Sequence, residues 1–485
     1  MGEPSLFDKM INHLRATSKY YTGYPKDLGP SRIIHFTSER EFVQLLHEGY
    51  PVVVAFTLRC NLTKHLDSVL EEAAAEFHPH VKFMRVECPK YPGFCITRQR
   101  KEYPFIEIFH SPQQTLNQGR VADPNITKYA VKVLPFNYDT SAYGFREFFK
   151  RHGIQLSPLF NLPKSHLQCF GESVYCIGND LLGRCNKGES PQDRFTAVVS
   201  WSISILRPMI FGIAPYNPIL GETHHVSRGN LNVLLEQVSH HPPVTALHGT
   251  DEKENLEMIW CQHPTPQFYG TSVETEVHGK RQLKLLNHGE TYEMNSPKLL
   301  IKFLPIPWVD WVGEHRIRCH ETGLEAELYY GSSSFFGLRG NPRTVKGKIF
   351  DSMSFELLYE IDGQWDRTVK MKDVNSGKET VIYNAKEAIS GLKAPMVTDQ
   401  KGVWPSESAL IWGILSQAIL GKDWSKAREA KKAVEEKQRE RLRERESRGE
   451  TWVPNHFTVT HSKEGGWDCS PIQKWVPPAP ISVPL

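Results

Sequence analysis

Between residues 231 and 369 the chain is built of short segments whose apolar and polar residues alternate with a period of two, and this run limits the fold more than any other feature. Residues 273–277, 283–285, 324–328 and 355–361 carry the alternation, and turn residues such as His278-Gly279-Lys280 and Asp362-Gly363 separate them. Side chains on a strand point alternately to its two faces, so each segment is apolar on one face. Many such strands joined by tight turns predict one large antiparallel sheet, which at this size must curl into a barrel or split. A barrel of many strands can enclose a ligand.

The flanking segments follow other patterns. Residues 31–152 alternate strand and helix, which predicts a small α/β domain with a sheet covered on both faces. Strands are expected at 51–58, 81–86 and 105–109; Leu66, Val69, Leu70 and Ala73 give residues 62–77 helical spacing. A short basic helix is expected at 96–101 and an amphipathic one at 143–152. Pro158 and Pro163 break either kind of ladder, so 154–164 reads as a linker. Residues 423–448 are dense in Lys, Glu and Arg, and a helix so poor in apolar positions cannot bury a wide face. Its simplest reading is a solvated helix held by Glu and Lys pairs four residues apart. The Pro-rich end, 476–485, reads as extended or disordered. The expected organisation is therefore α+β multidomain: a first domain at 1–152, a linker at 153–164, a large antiparallel β domain with C-terminal helices at 165–475, and a tail at 476–485.

Charge and composition exclude several classes. Lys and Arg number 58 against 55 Asp and Glu, too even a balance for a protein held by nucleic acid, so any anion recognition must be local. The longest apolar stretches, 51–56 and 299–307, fall short of the ~20 residues that span a bilayer. The start, Met1-Gly2-Glu3-Pro4-Ser5-Leu6, lacks the pattern of a secretory signal, and Leu6 spoils a myristoylation site. Nine cysteines without a repeating framework fit reduced thiols in the cytosol, which would leave the sequons at Asn61 and Asn125 unused.

The string Glu236-Gln237-Val238-Ser239-His240-His241-Pro242-Pro243 concentrates the chemistry. Its prolines cannot donate ladder hydrogen bonds, so the preceding strand must end and present two imidazoles at its tip. Each can donate to a phosphate oxygen, and a phosphomonoester favours the protonated ring. The alternative is a pair of ordinary turn histidines. No third ligand follows at metal spacing, and His224-His225 reads equally well as a polar loop, so no metal or other cofactor is expected. Trp308 and Trp311 could meet a membrane interface or pack inside.

This string matches the fingerprint of the oxysterol-binding protein family at every position. The resemblance extends over about 160–475, through Phe160-Asn161-Leu162-Pro163-Lys164, Asn217-Pro218-Ile219-Leu220-Gly221-Glu222, Trp404-Pro405-Ser406-Glu407-Ser408 and Gly449-Glu450-Thr451-Trp452, in wording similar to the plant branch. It implies a nearly complete antiparallel barrel with a tunnel that takes sterol or phosphatidylinositol 4-phosphate, one excluding the other. It also implies a non-enzymatic carrier in the cytosol that touches membranes transiently. The implied head-group site comprises His240, His241, Asn217 and the helical residues Lys431, Glu435 and Arg439, whose four-residue steps share one helix face. The solvated reading of that helix stays beside this one.

Two departures stand out. Ala214 occupies the position where phosphoinositide-binding members carry a Lys, which removes ~1–3 kcal/mol of charge-assisted bonding. The family's N-terminal lid helix gives way to a segment that resembles thioredoxin, through the apolar strand ending before Cys60, Tyr103-Pro104 and the element order. In that family the proline is cis and faces a redox motif, but Cys60-Asn61-Leu62-Thr63 lacks the second sulfur. A second reading follows: a monothiol redox or adaptor protein whose C-terminal part only binds a membrane or partner.

Overall fold

The computed structural model describes residues 30–58, 63–78, 80–110, 131–137, 145, 148–149, 152, 161–178, 180–209, 213–269, 272–302, 308–331, 343–390, 392–462 and 466–485. They fall into two compact units, one within Lys26–Pro158 and one within Leu159–Leu485. Cys60, both sequons and the residues before 30 lie outside the described set.

The first unit contains β1 (Ile33–His35), α1 (Glu39–His47), β2 (Val52–Thr57), α2 (Thr63–Phe77), β3 (Lys82–Glu87), α3 (Pro92–Ile96), β4 (Phe105–His110) and β5 (Lys132–Pro135). Its sheet runs in the order β1-β3-β2-β4-β5, with β1 and β2 parallel to β3 and the last two strands antiparallel. All six residues of β2 are buried, because alternate members serve different cores. Val53 and Ala55 join Leu70, Ile108 and Phe149 on one side, while Val52, Val54 and Phe56 join Phe42 and Phe94 on the other.

Within this unit the short helix lies earlier than the expected 96–101. Pro92 suits a first helical turn, and Gln99 takes a positive φ just beyond the helix. Cys88 and Cys95 are joined by a disulfide, which departs from the expectation of reduced thiols throughout. The Tyr103–Pro104 bond is cis. Of the expected closing helix, the described Phe145, Phe148 and Phe149 are buried.

The second unit opens with β6 (Asn161–Ser165), α4 (His166–Tyr175), α5 (Leu181–Lys187), α6 (Pro191–Ser204), β7 (Ala214–Tyr216), β8 (Thr223–Arg228), β9 (Leu231–His240), β10 (Pro243–Asp251) and β11 (Leu256–Phe268). It continues through β12 (Ser272–His278), β13 (Arg281–Leu285), β14 (Glu290–Met294), β15 (Lys298–Lys302), β16 (Trp308–Cys319), β17 (Leu324–Tyr330), β18 (Thr344–Asp351), β19 (Leu357–Gln364), β20 (Thr368–Asp373) and β21 (Glu379–Asn384). After them come α7 (Ala385–Ile389), β22 (Met396–Val397), α8 (Ser408–Ile411), α9 (Gly413–Leu420), α10 (Trp424–Arg448), β23 (Phe457–Ser462), β24 (Gly466–Pro471) and β25 (Ile481–Ser482).

Sixteen of these strands form one large sheet, mostly between chain neighbours and antiparallel, whose path runs from β21 to β8 and on through β25 to β22. Strands β12 and β15 branch from it between β11 and β16. The period-two signal is visible in β17, where Leu324, Ala326, Leu328 and Tyr330 are buried in turn. They share a core with Trp201, Trp260, Leu283 and Tyr292. Helix α6, opened by a capping box between Ser190 and Asp193, packs beside the edge strand β21. There the Ser200 hydroxyl donates to the Ile382 carbonyl.

Local departures have physical causes. Asn161–Ser165, expected at the end of the linker, pairs in parallel with β7, and Leu162 and Lys164 are buried. Asp362-Gly363 lies inside β19 rather than in a turn: a Cβ on Gly363 would collide with the Thr368 carbonyl, so the glycine permits close strand approach. The tail is ordered, because Val476, Ile481 and Val483 are buried and Ile481–Ser482 joins the sheet between β8 and β22. His224 and His225 are buried on β8 instead of lying in a polar loop. His224 bonds Glu407 at 2.7 Å and the Tyr175 hydroxyl at 2.9 Å, so its polarity is satisfied internally.

Candidate functional site

The fingerprint segment spans the β9–β10 hairpin. His240 pairs with Pro243 across it, and the intervening His241–Pro242 bond is cis. The two imidazoles meet edge to face with centroids 4.5 Å apart. His240 is half-buried, and its Nδ1–H donates to the Pro218 carbonyl at 3.0 Å, which leaves Nε2 for a ligand. Burial, and then the neighbouring His241, hold His240 below the ordinary imidazole pKa, against the opposing Pro218 bond. At neutral pH this ring is therefore mainly uncharged.

Pro218 belongs to the turn 217–222, which Glu222 fixes from inside. Its buried carboxylate accepts from Ser165 Oγ, from Ser408 Oγ at 2.7 Å, from Trp412 Nε1 at 2.9 Å and from the Ile219 N–H at 3.0 Å. Burial raises its pKa although these donors oppose the shift. Gly221, with φ +76°, closes the turn, and a Cβ there would lie 2.6 Å from the Trp452 ring. Glu236, the first fingerprint residue, accepts from the backbone N–H groups of Asn455 and His456.

 The His456 N–H is the second of these donors, at 2.9 Å against 2.8 Å for Asn455, so the strand tethers the segment that follows α10.

Helix α10 supplies the opposite wall. Asp423 caps it, accepting from the Lys426 N–H, and Gly449 ends it at φ +65°. Ala427 is its single buried residue, and Trp424, Ala430 and Val434 form a narrow apolar stripe against Trp412, Leu415 and Ile419. Most of the rest is polar, with ion pairs four residues apart: Lys432 to Glu436 at 3.6 Å and Arg439 to Glu435 at 3.5 Å.

Between these walls and the β23–β24 hairpin lies a cavity of about 910 Å³, within the range typical of ligand pockets. It brings all six expected residues together: Asn217, His240, His241, Lys431, Glu435 and Arg439. Leu220, Val238, Trp412, Trp452, Phe457 and Val459 give it an apolar backing. Lys431 and Glu435 are half-buried, while Asn217, His241 and Arg439 are exposed.

Sequence reasoning missed three contributors. At about 100° per residue, Gln438, Leu442 and Arg445 lie within about 40° of Lys431 around the axis, whereas Arg439 lies about 80° away. All three line the cavity, and the Arg445 guanidinium stands 5.3 Å from the Trp452 ring centre. Counting at 3.6 residues per turn instead of four would have found them. Glu222 was legible only as a lone carboxylate in an apolar, proline-containing segment. Among the described residues, no group of three His, Cys, Asp or Glu is arranged to hold a metal ion.

Comparison with known proteins agrees with this architecture. A family model for oxysterol-binding protein matches residues 152–414. Oxysterol-binding protein-related protein 4B of Arabidopsis thaliana is 56% identical over 333 residues, covering 68% of this chain and 86% of that one. Protein 4C of the same plant is 55% identical over 334 residues, covering 68% and 88%. Among solved structures, the Osh1 ORD domain in complex with cholesterol aligns with a TM-score of 0.54 at 22% identity, over 66% of this chain and 82% of that one. The Osh3 ORD in complex with PI(4)P from Saccharomyces cerevisiae aligns with a TM-score of 0.52 at 23% identity, over 68% and 91%. At such identities the structural matches speak for a large, mostly β fold. From residue 152 onward the chain belongs to the oxysterol-binding protein family, in its plant oxysterol-binding protein-related form.

Proposed function

We propose that this protein binds one lipid at a time, a sterol or phosphatidylinositol 4-phosphate, and carries it between membranes without making or breaking a covalent bond. The observation that carries the reading is the convergence of His240, His241, Asn217, Lys431, Glu435 and Arg439 on one cavity of about 910 Å³ with an apolar backing. Among the described lining residues, two imidazoles and the cations of Lys431, Arg439 and Arg445 outnumber the one carboxylate, Glu435, which suits a phosphorylated head group. Glu435 accepts from inositol hydroxyls and keeps Arg439 in register. Asn217 donates from the facing turn.

The acyl chains or the sterol rings go into the interior of the sheet, read as a nearly complete barrel. Support comes from polar atoms buried there that have no protein partner among the described residues: Nε1 of Trp201, Trp260 and Trp365, and the Tyr330 hydroxyl. Such groups call for water or a polar-ended guest. The carrier works in the cytosol and touches membranes transiently; among the described residues no helix is long and apolar enough to cross one. For the first unit we read a thioredoxin-like fold, supported by the strand order.

Extraction from liposomes tests the proposal. The wild-type chain is expected to remove both dehydroergosterol and phosphatidylinositol 4-phosphate, and the His240→Ala, His241→Ala double variant to lose the phosphoinositide while keeping most sterol pickup. If the wild type extracts neither lipid, the proposal fails.

A further inference from the structure

Two cysteines far apart in sequence meet behind the cavity wall. Cys261 on β11 and Cys469 on β24 are both buried, and their sulfurs stand 3.0 Å apart. That is about 1 Å longer than a disulfide bond of about 2.05 Å. They sit in a small apolar cluster with Val238, Val244, Ala246 and Phe457, through which the β23–β24 hairpin packs on β9, β10 and β11. The same hairpin presents Phe457, Val459 and Trp467 to the cavity. Its two strands pair with each other and form a sheet separate from the large one. Side-chain packing therefore seats this wall of the cavity.

We propose that Cys261 and Cys469 form a redox-sensitive pair, and that their oxidation by a peroxide fastens the β23–β24 hairpin to the sheet and slows exchange of the bound lipid. The inference rests on reading the cavity as the lipid site. One sulfur attacks hydrogen peroxide, breaking the O–O bond to give a sulfenic acid and one water. The second sulfur then displaces hydroxide from the first, forming the S–S bond, and the hydroxide leaves as a second water with the remaining thiol proton. Two thiols lose two electrons and two protons, and one peroxide is reduced to two waters. The Cys261 sulfur, and then burial, hold the Cys469 thiol above its ordinary pKa, so reaction is slow while the hairpin is seated and proceeds as it loosens. The bond then captures the seated hairpin and closes a loop spanning 208 residues of sequence.

The test treats the full chain, loaded with dehydroergosterol, with hydrogen peroxide. Peptide mass mapping is expected to find Cys261 joined to Cys469 with the loss of two hydrogens. The melting temperature is expected to rise by about 5 °C, and sterol release to liposomes to slow at least roughly tenfold, both reversed by dithiothreitol. Cys469→Ala and, independently, Cys261→Ala are expected to show neither response. The proposal is overturned if peroxide joins other cysteines or stops at separate sulfinic acids, and equally if the cross-link forms and release is unchanged. Should the reduced chain carry no sterol, the carrier reading falls, while mass mapping and melting temperature still decide whether the pair closes.

Discussion

Lys431→Ala and Arg439→Ala separate the half-buried cation of α10 at the cavity from the exposed one. Lys431 is half-buried on the line of the helix that continues through Gln438, Leu442 and Arg445. Arg439 is 67% exposed at its side chain and already engaged with Glu435 at 3.5 Å. Removing a charge-assisted bond to a phosphate from Lys431 costs about 1.5–3 kcal/mol, or roughly 10- to 150-fold in phosphoinositide affinity. Truncating Arg439 forfeits an exposed interaction of about 0.2–1 kcal/mol, which is roughly 1.5- to 5-fold. The assay is titration of each variant with liposomes containing phosphatidylinositol 4-phosphate, with sterol liposomes as the control that neither variant should affect. Equal losses for the two variants, or a parallel loss of sterol binding from Lys431→Ala, would refute the assignment of the head group to this face.

Three further outcomes follow from the same geometry. Phosphoinositide affinity should rise as pH falls from 8 toward about 6.5: burial and His241 hold His240 below its ordinary pKa, an anion raises it, and a ligand that favours the protonated ring binds tighter where protons are more available. Sterol affinity, measured in parallel, should stay flat, and a flat phosphoinositide profile would remove His240 from the contact. Gly221→Ala places a Cβ against the Trp452 ring at a positive φ and should cost about 2–4 kcal/mol, read as a lower urea midpoint at unchanged slope. Ile481→Ala should cost about 2–4 kcal/mol in the same assay, because this residue is fully buried in the sheet; a cost near zero would mean the tail is loose.

Much of the large sheet was legible because alternation is a local signal. Leu324 to Tyr330 carries its burial pattern in its own sequence, and the prolines at 242 and 243 announce where β9 stops. Helix α10 was equally plain from its charge. What stayed hidden depends on partners distant in the chain. His224 and His225 read as polar until Glu407 and the Pro477 carbonyl supply their bonds from 183 and 252 residues away. The tail read as extended or disordered, and its prolines hid which of the two holds: the burial of Val476, Ile481 and Val483 requires strands laid down much earlier. Asp362-Gly363 has the composition of a turn, and only the approach of Thr368 explains the glycine. At the candidate site the fingerprint histidines and the three helical charges could be named through the family resemblance. Glu222 and Glu236 could not, since their roles as internal anchors exist only once Trp412, Ser408 and the 455–456 backbone have come to meet them.

On the proposed function, one cavity serves a single lipid whose head is gathered by those charges. Native mass spectrometry of the chain after incubation with liposomes containing both sterol and phosphatidylinositol 4-phosphate addresses it directly. The expected spectrum contains chains with one sterol or one phosphoinositide, and the phosphoinositide-bound species disappears in the His240→Ala, His241→Ala variant. Chains that carry both lipids together, or a double variant that still holds the phosphoinositide, would contradict the claim.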